Sequence, residues 1–273
     1  MKHLLLIGHG FVGKVASKLF RENGWQVTTV SRGGSCDEIA DVSSLESLSI
    51  LAQRIVPPTH ILHCASASGG GEDSYRKVYL DGCQNLIKMF PAIPILFTSS
   101  TSVYPQVDGS VVSEESSTVL GRETGKILLE SEAAVLANGG IVARLAGIYG
   151  NGRSYLLRRY LAGEAVMEDQ GQRILNHIHH YDAASAILWL LNRANTCGEI
   201  FNVCDSQPMS QKETYEGLDK LFNRGMPGSA PRNVNSKRGW SHKAVSNGKL
   251  LAMGWIPKYP NFLGAAQEVT KSL

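Results

Sequence analysis

"HLLLIGHGFVGKVASKLFRENG", residues 3–24, decides the fold. Leu4 to Ile7 are apolar without alternation, the mark of a strand buried on both faces of a parallel sheet. Beyond the glycines, Val12, Val15, Ala16, Leu19 and Phe20 recur at helical spacing, and Gly24 is a C-terminal stop. Strand, glycine turn and helix in this order open an α/β domain.

The alternation continues along the chain. "WQVTTV", "HILHCA", "IPILFTS" and "GIVARLAG" read as strands. The helices expected between them are one opened by Ser43 or Ser44, one over 73–90 and one over 122–138. Repeated units of this length imply right-handed crossovers and a Rossmann-type doubly wound parallel sheet. The pattern places the Rossmann domain at 1–150. A helix at 181–193 and the strand "EIFNVC" return to the sheet within 179–205. A small discontinuous C-terminal substrate lobe is expected from 151–178 and 206–273. "MPGSAPRNVNSKRG" reads as a loop.

With 273 residues, 43% hydrophobic and 19% charged, the chain has material for a sizeable core. A net charge of +3, without long Lys/Arg blocks or interleaved aromatics, argues against nucleic acid as a partner. The five cysteines lack C-x-x-C spacing, so neither zinc nor a disulfide framework is expected, and a reducing cytoplasm is the simpler setting. The N-terminal apolar run is too short for a signal peptide or membrane span, and no membrane partner is expected.

"IGHGFVG" spaces Gly8, Gly10 and Gly13 as G-x-G-x-x-G, with Phe11 and Val12 between the last two. Glycines here permit a tight turn, approach of backbone to a pyrophosphate and close helix–strand packing, and the helix N-terminus faces the anion. Such a turn directly after a first strand points to a dinucleotide. The end of the second strand discriminates further. It carries Ser31 and Arg32, and the first carboxylate comes only at Asp37. An arginine pairs with a 2′-phosphate through two parallel hydrogen bonds, so NADP is favoured over NAD.

Motifs in order along nearly the whole chain resemble the extended short-chain dehydrogenase/reductase superfamily, of the NAD-dependent epimerase/dehydratase type. "ADVSSLESL" is similar to the loop whose Asp and next residue, here Asp41 and Val42, contact adenine. "HCASAS" resembles H-x-A-A, which passes under the cofactor and implicates Cys64, Ala65 and Ser66. "YLDGCQNLI" is similar to N-V-x-G-T-x-N-L-L with Tyr79 in place of asparagine, and "FTSSTSVYP" puts Ser100 at the catalytic serine position. "RLAGIYGNGR", "NHIHHYDAASAI", "FNVCD" and "VSNGKLLAMGW" resemble the later segments of nucleotide-sugar epimerases and dehydratases. Ile7 and Ala146 stand where the resemblance implies glycine and proline. The departure with chemical weight lies in "GRETGK": the Y-x-x-x-K lysine is Lys126, but the tyrosine position holds Arg122.

The resemblance implies a tyrosine that exchanges a proton with a substrate hydroxyl, a serine that holds the substrate oxygen and a lysine on the nicotinamide ribose. Arginine stays protonated and cannot be that base, though it can donate hydrogen bonds to a carbonyl, a carboxylate or a developing alkoxide. Spacing i, i+4 places Arg122 and Lys126 on one helix face, which suggests an anion between them; alternatively, Arg122 faces solvent or pairs with a nearby carboxylate. Tyr104 and Tyr149 are the candidate substitute phenols. Tyr149, Arg153 and Asn176 are candidate substrate contacts, and Arg153 with Arg158 and Arg159 suits either a diphosphate or a solvated helix face. His177, His179 and His180 beside Asp182 invite a metal, but no further ligand cluster completes a shell, and Asp182 is expected to cap the following helix.

The leading expectation is an atypical member of this superfamily that binds NADP(H) and a small polar or nucleotide-linked substrate and transfers hydride. Ser100, Arg122, Lys126 and Tyr104 are its catalytic candidates. The alternative is a non-catalytic NADP(H)-sensing module. A homodimer through the helices at 73–90 and 122–138 follows from the resemblance.

Overall fold

The computed structural model describes residues 2–67, 69–118, 122–232 and 240–273. Ser68 of "HCASAS", Gly121 of "GRETGK" and the 233–239 part of the expected loop lie outside the described residues. Seven parallel strands form the central sheet: β1 (His3–Ile7), β2 (Gln26–Ser31), β3 (Glu38–Ile39), β4 (His60–His63), β5 (Ile95–Ser100), β6 (Ile141–Leu145) and β7 (Ile200–Val203). Their order is β7-β6-β5-β4-β1-β2-β3. Leu4, Leu5 and Leu6 are fully buried, as a strand covered on both faces requires. The chain moves outward in one direction from β1 through β2 and β3, and in the other from β4 onward. Ile7 and His63 are partners at that reversal, so the first glycine turn and the end of β4 lie side by side at a topological switch point.

Helices α1 (Phe11–Glu22), α2 (Leu45–Arg54), α3 (Gly82–Met89), α4 (Glu123–Ala137) and α5 (His180–Leu191) flank these strands in sequence. On α1 the buried face is Val12, Gly13, Ala16, Ser17 and Phe20. Ser44, not Ser43, caps α2 by accepting the Ser47 amide. The helix expected over 73–90 is broken in character. Glu72–Tyr75 is α-helical, Arg76–Asp81 is π-helical, and α3 follows. Buried His63 lies against the π segment, its Nε2 2.9 Å from the Val78 carbonyl. A carbonyl only accepts, so Nε2 carries the proton. Burial holds this ring near pKa 4 and therefore neutral. Strand β3, two residues long, was not among the expected elements.

The chain divides into two compact units. The first comprises 1–103, 119–144 and 184–201; the second comprises 104–118, 145–183 and 202–273. The second is built on Tyr149, Leu157, Tyr160, Leu218, Phe262 and Val269 and on two-stranded pairings. Among these, Val111–Val112 runs parallel to Ala244–Val245, and Gly147–Tyr149 to His177–His179. Gly228–Ala230 lies in the stretch read as loop but is a strand, paired in parallel with Val166–Glu168. Its partner is distant in sequence, beyond the reach of any local pattern. Among the described residues no helix is long and apolar enough to cross a membrane.

Inside the first unit an ion pair is fully enclosed. Arg144 of β6 meets Glu132 of α4 at 2.6 Å (Nη2 to Oε2), with side chains 4% and 3% exposed. Arg144 Nε adds contacts at 3.1 and 3.2 Å, and Ser99 Oγ of β5 donates to the same carboxylate. A charge left alone there would lack water as well as its partner. Glu132→Ala is therefore expected to cost about 3–5 kcal/mol of unfolding free energy, read by urea denaturation.

Candidate functional site

The glycine turn is shaped by what would collide. Gly8 has φ +101°, and a Cβ there would lie 2.3 Å from the Ala65 amide nitrogen. A Cβ on Gly13 would lie 2.1 Å from the Gly8 carbonyl oxygen. Those two glycines are demanded by internal packing. Gly10 is different: it is the N-cap of α1, and a Cβ there meets nothing within 4 Å. The first turn of α1 carries no acidic residue, so its backbone donors and dipole end suit an anion. Cys64 continues the wall, donating its thiol to the Gly8 carbonyl at 3.2 Å. Burial pushes that thiol up to about 12, so it stays protonated. Ala65 and exposed Ser66 follow at the end of β4.

At the end of β2, Arg32 is exposed, and Ser31 Oγ donates to the Gly33 carbonyl. Asp37 turns back toward its own strand. Its carboxylate accepts from the Thr29 amide and hydroxyl, both at 2.8 Å, and from Arg21 at 2.9 Å. Partial burial raises its pKa, but those hydrogen bonds and the Arg21 and His9 charges outweigh it and hold the carboxyl below its usual value. Asp41 Oδ1 accepts from the Ser43 amide and hydroxyl, and buried Val42 receives Asn85 on its carbonyl.

Ser100 ends β5. Its Oγ accepts the Ser102 amide at 3.1 Å, which leaves the O–H to donate. Arg122 is not part of the helical face it was expected to share with Lys126. It is the N-cap of α4, with extended ψ of 133°, and the i, i+4 rule holds only between helical residues. Lys126 pairs instead with Glu123 at 3.3 Å, and Glu123 also meets Arg76 at 3.6 Å. Arg122 is exposed and forms no ion pair among the described residues. Tyr79, on the π segment, accepts the Ala67 amide on its hydroxyl at 3.3 Å. The reading of the chain passed over it as a functional group, although its standing in an asparagine's place was the signal. It brings a phenol to the segment that follows β4.

The remaining candidates lie in the second unit, where most serve the fold. Tyr104 is 2% exposed and donates to Asn202 Oδ1 at 2.7 Å. Tyr149 is packed against His177, His179 and Phe262, and burial, with Asp205 and Asp182 nearby, pushes its phenol up. A substitute base needs the opposite shift from the one Tyr149 shows, and the Tyr104 hydroxyl is enclosed with its hydrogen given to Asn202. Asn176, the expected substrate contact, engages backbone with its amide, donating to the Lys243 carbonyl at 2.9 Å and accepting the Val245 amide at 2.7 Å. Arg153 is exposed beside its bridge to Gly150, and Arg159 lies over the Tyr155 ring. His177 and His179 are held near pKa 4 by burial. Asp182 sits within the first turn of α5, not at its N-cap, and its carboxylate accepts the Lys258 and Tyr259 amides. In this unit Lys243 and Asp205 are buried ionisable groups that no motif marked. Burial, reinforced by Asp182, pushes Asp205 up to about 8 despite the Gln207 amide.

The glycine geometry separates two substitutions of equal size. Gly13→Ala is expected to lower stability by about 1–3 kcal/mol or more, through backbone overpacking. Gly10→Ala should stay within about 0.5 kcal/mol of the parent. Paired urea melts measure both.

Comparison with known proteins agrees with this geometry. The model of the NAD dependent epimerase/dehydratase family matches residues 4–204. Protein YeeZ of Escherichia coli K12 is 27% identical over 281 residues, covering 96% of this chain and 97% of that protein. The UDP-glucose 4-epimerase of Thermus thermophilus, solved with NAD, superposes with a TM-score of 0.82 at 17% identity, covering 99% of this chain and 98% of that one. The dTDP-glucose 4,6-dehydratase of Bacillus anthracis, also solved with NAD, gives 0.80 at 17%, covering 99% and 96%. The two structural likenesses speak for the fold. A family match that runs from β1 through β7, over a glycine turn built at the switch point, settles the affiliation: the chain belongs to the NAD dependent epimerase/dehydratase family.

Proposed function

We propose that this protein is an NADP(H)-dependent oxidoreductase that reduces a carbonyl group on a small polar or nucleotide-linked substrate. The observation that carries the reading is the cradle at the switch point. Gly10 leaves open space that a pyrophosphate could fill, above a helix N-terminus without acidic residues. Val42, Asp41 and the segment of Cys64, Ala65 and Ser66 after β4 would hold the adenine and ribose side. Arg32 stands exposed at the end of β2, where it could meet a 2′-phosphate, and the carboxylates nearest it in sequence have other partners, Asp37 in Thr29 and Arg21 and Glu38 in Arg54.

When bound there, a reduced nicotinamide would supply the hydride. Ser100 donates its O–H to the substrate oxygen. Arg122 offers fixed positive charge to the alkoxide as it develops, and Lys126 reaches the ribose hydroxyls. The proton that completes the alcohol comes from the Tyr79 hydroxyl, whose oxygen accepts the Ala67 amide and so keeps its own hydrogen to give. Reduction suits this set better than oxidation, because an arginine stabilises an alkoxide but takes no proton. A homodimer through the α3 and α4 region belongs to the same reading.

A second reading rests on the burial of Tyr104 and Tyr149 and on the exposure of Arg122. These also suit a module that binds NADP(H) and reports its redox state without turnover. Two measurements separate and test the readings. In a fluorescence titration, NADPH is expected to bind more tightly than NADH, and Arg32→Glu should weaken NADPH about 10–100-fold while sparing NADH; equal affinities in the parent chain would remove the NADP assignment. In single-turnover reduction of a carbonyl panel, Arg122→Ala and Tyr79→Phe should each lose about 100-fold or more in rate with NADPH binding intact. Parental rates in both variants would clear those side chains of the chemistry, and no oxidation of NADPH with any carbonyl compound would favour the sensor.

A further inference from the structure

Lys243 is 3% exposed, and its Nζ donates to the Tyr104 carbonyl at 2.8 Å. Asn176 holds the backbone that follows it, through the Lys243 carbonyl and the Val245 amide. The ammonium itself is enclosed by its burial and has little access to water. It has three donors, and a single carbonyl satisfies one of them without neutralising the charge. Buried cations in folded chains are ordinarily paired with an anion, because an unpaired one costs far more than the hydrogen bond returns. Here the chain has none to offer. Lys243 forms no ion pair among the described residues, and the charged neighbour that bears on it is another cation, Arg173. The remaining residues, Met1, Ser68, 119–121 and 233–239, include no Asp or Glu.

Arg173 repeats the pattern. Its Nη1 meets Glu168 at 3.2 Å, and its guanidinium lies 5.3 Å from the Trp240 ring, yet its Nε–H is buried without an acceptor. Arg173 keeps 28% of its side chain exposed, and the two cations sit on adjoining segments, the Ile174 amide donating to His242 Nδ1 at 3.1 Å. Two cations held together, one enclosed and the other with an unanswered buried donor, are the complement of an oxyanion. We infer that Lys243 and Arg173 form an anion site in the second unit, which takes the carboxylate or phosphate of a small-molecule ligand. Burial, with Arg173 adding to it, pushes the Lys243 ammonium down to about 8, so it is largely charged at neutral pH and ready to pair. As the substrate class of the proposed oxidoreductase, an anionic compound rests on that reading; the site itself does not.

The test uses the full chain at constant ionic strength, with inorganic phosphate and malonate as probes and potassium chloride as control. Either probe is expected to raise the melting temperature of the parent saturably. Lys243→Met should abolish the response, Lys243→Arg should retain part of it, and Arg173→Gln should weaken it at least tenfold. A response to phosphate alone assigns a phosphate-bearing ligand, and one to malonate alone assigns a carboxylate. No saturable response in the parent, or an identical one in Lys243→Met, overturns the site. If Lys243→Met fails to fold by circular dichroism, Arg173→Gln decides on the same criterion. NADPH affinity is read separately by fluorescence. A Lys243-dependent anion response in a chain that binds no NADPH keeps this site and discards the oxidoreductase reading.

Discussion

Backbone meets backbone at the head of the molecule more closely than any side chain would allow. Gly8 turns with positive φ against the Ala65 amide, and Gly13 brings α1 down onto the Gly8 carbonyl. Both contacts fail if a methyl group is added. Because Ile7 and His63 are register partners, this turn and the end of β4 are fixed against each other where the sheet reverses direction. The geometry of the candidate cofactor site follows from that approach: the open edge at Gly10, the direction of the α1 N-terminus and the placing of Cys64 behind the turn.

The molecule treats its buried charges in two ways. Glu132 and Arg144 are enclosed together, with Ser99 completing the carboxylate's bonds, and a pair of this kind stands without outside help. Lys243 is as deeply buried and has a carbonyl and a second cation for company. The first arrangement is closed in its hydrogen bonding and its charge. The second has one carbonyl and no anion among the described residues, which is the ground for the anion site proposed above.

In the proposed reduction Arg122 matters through what it forbids. A guanidinium does not titrate near neutral pH, so in that reading the proton would come from another group. The two tyrosines nearest to the family's site motifs are committed to packing and hydrogen bonds inside the second unit. Tyr79 rides instead on a π-helical turn, a feature that recurs at functional sites because one extra residue re-aims the side chains that follow.

Much of the first unit was legible in the chain alone. Unbroken apolar runs, helical spacing and the G-x-G-x-x-G turn are local signals, and they determined the strand–helix alternation, the parallel sheet and the residues at its glycine edge. The family resemblance, rather than any local pattern, marked Ser100 and Lys126 and the absence of a tyrosine at 122. What local signals did not reach depended on partners distant in sequence. The pairing of Gly228–Ala230 with Val166–Glu168, the retreat of Asp37 to Thr29 and Arg21, and the capture of Asn176 by the backbone around Lys243 are tertiary facts. So is the burial of Lys243, which in sequence is one more lysine beside a histidine. Periodicity and turn chemistry report what a segment does with its neighbours; whether a charge is paired, enclosed or left waiting depends on which distant segments fold around it, and only the assembled chain decides that.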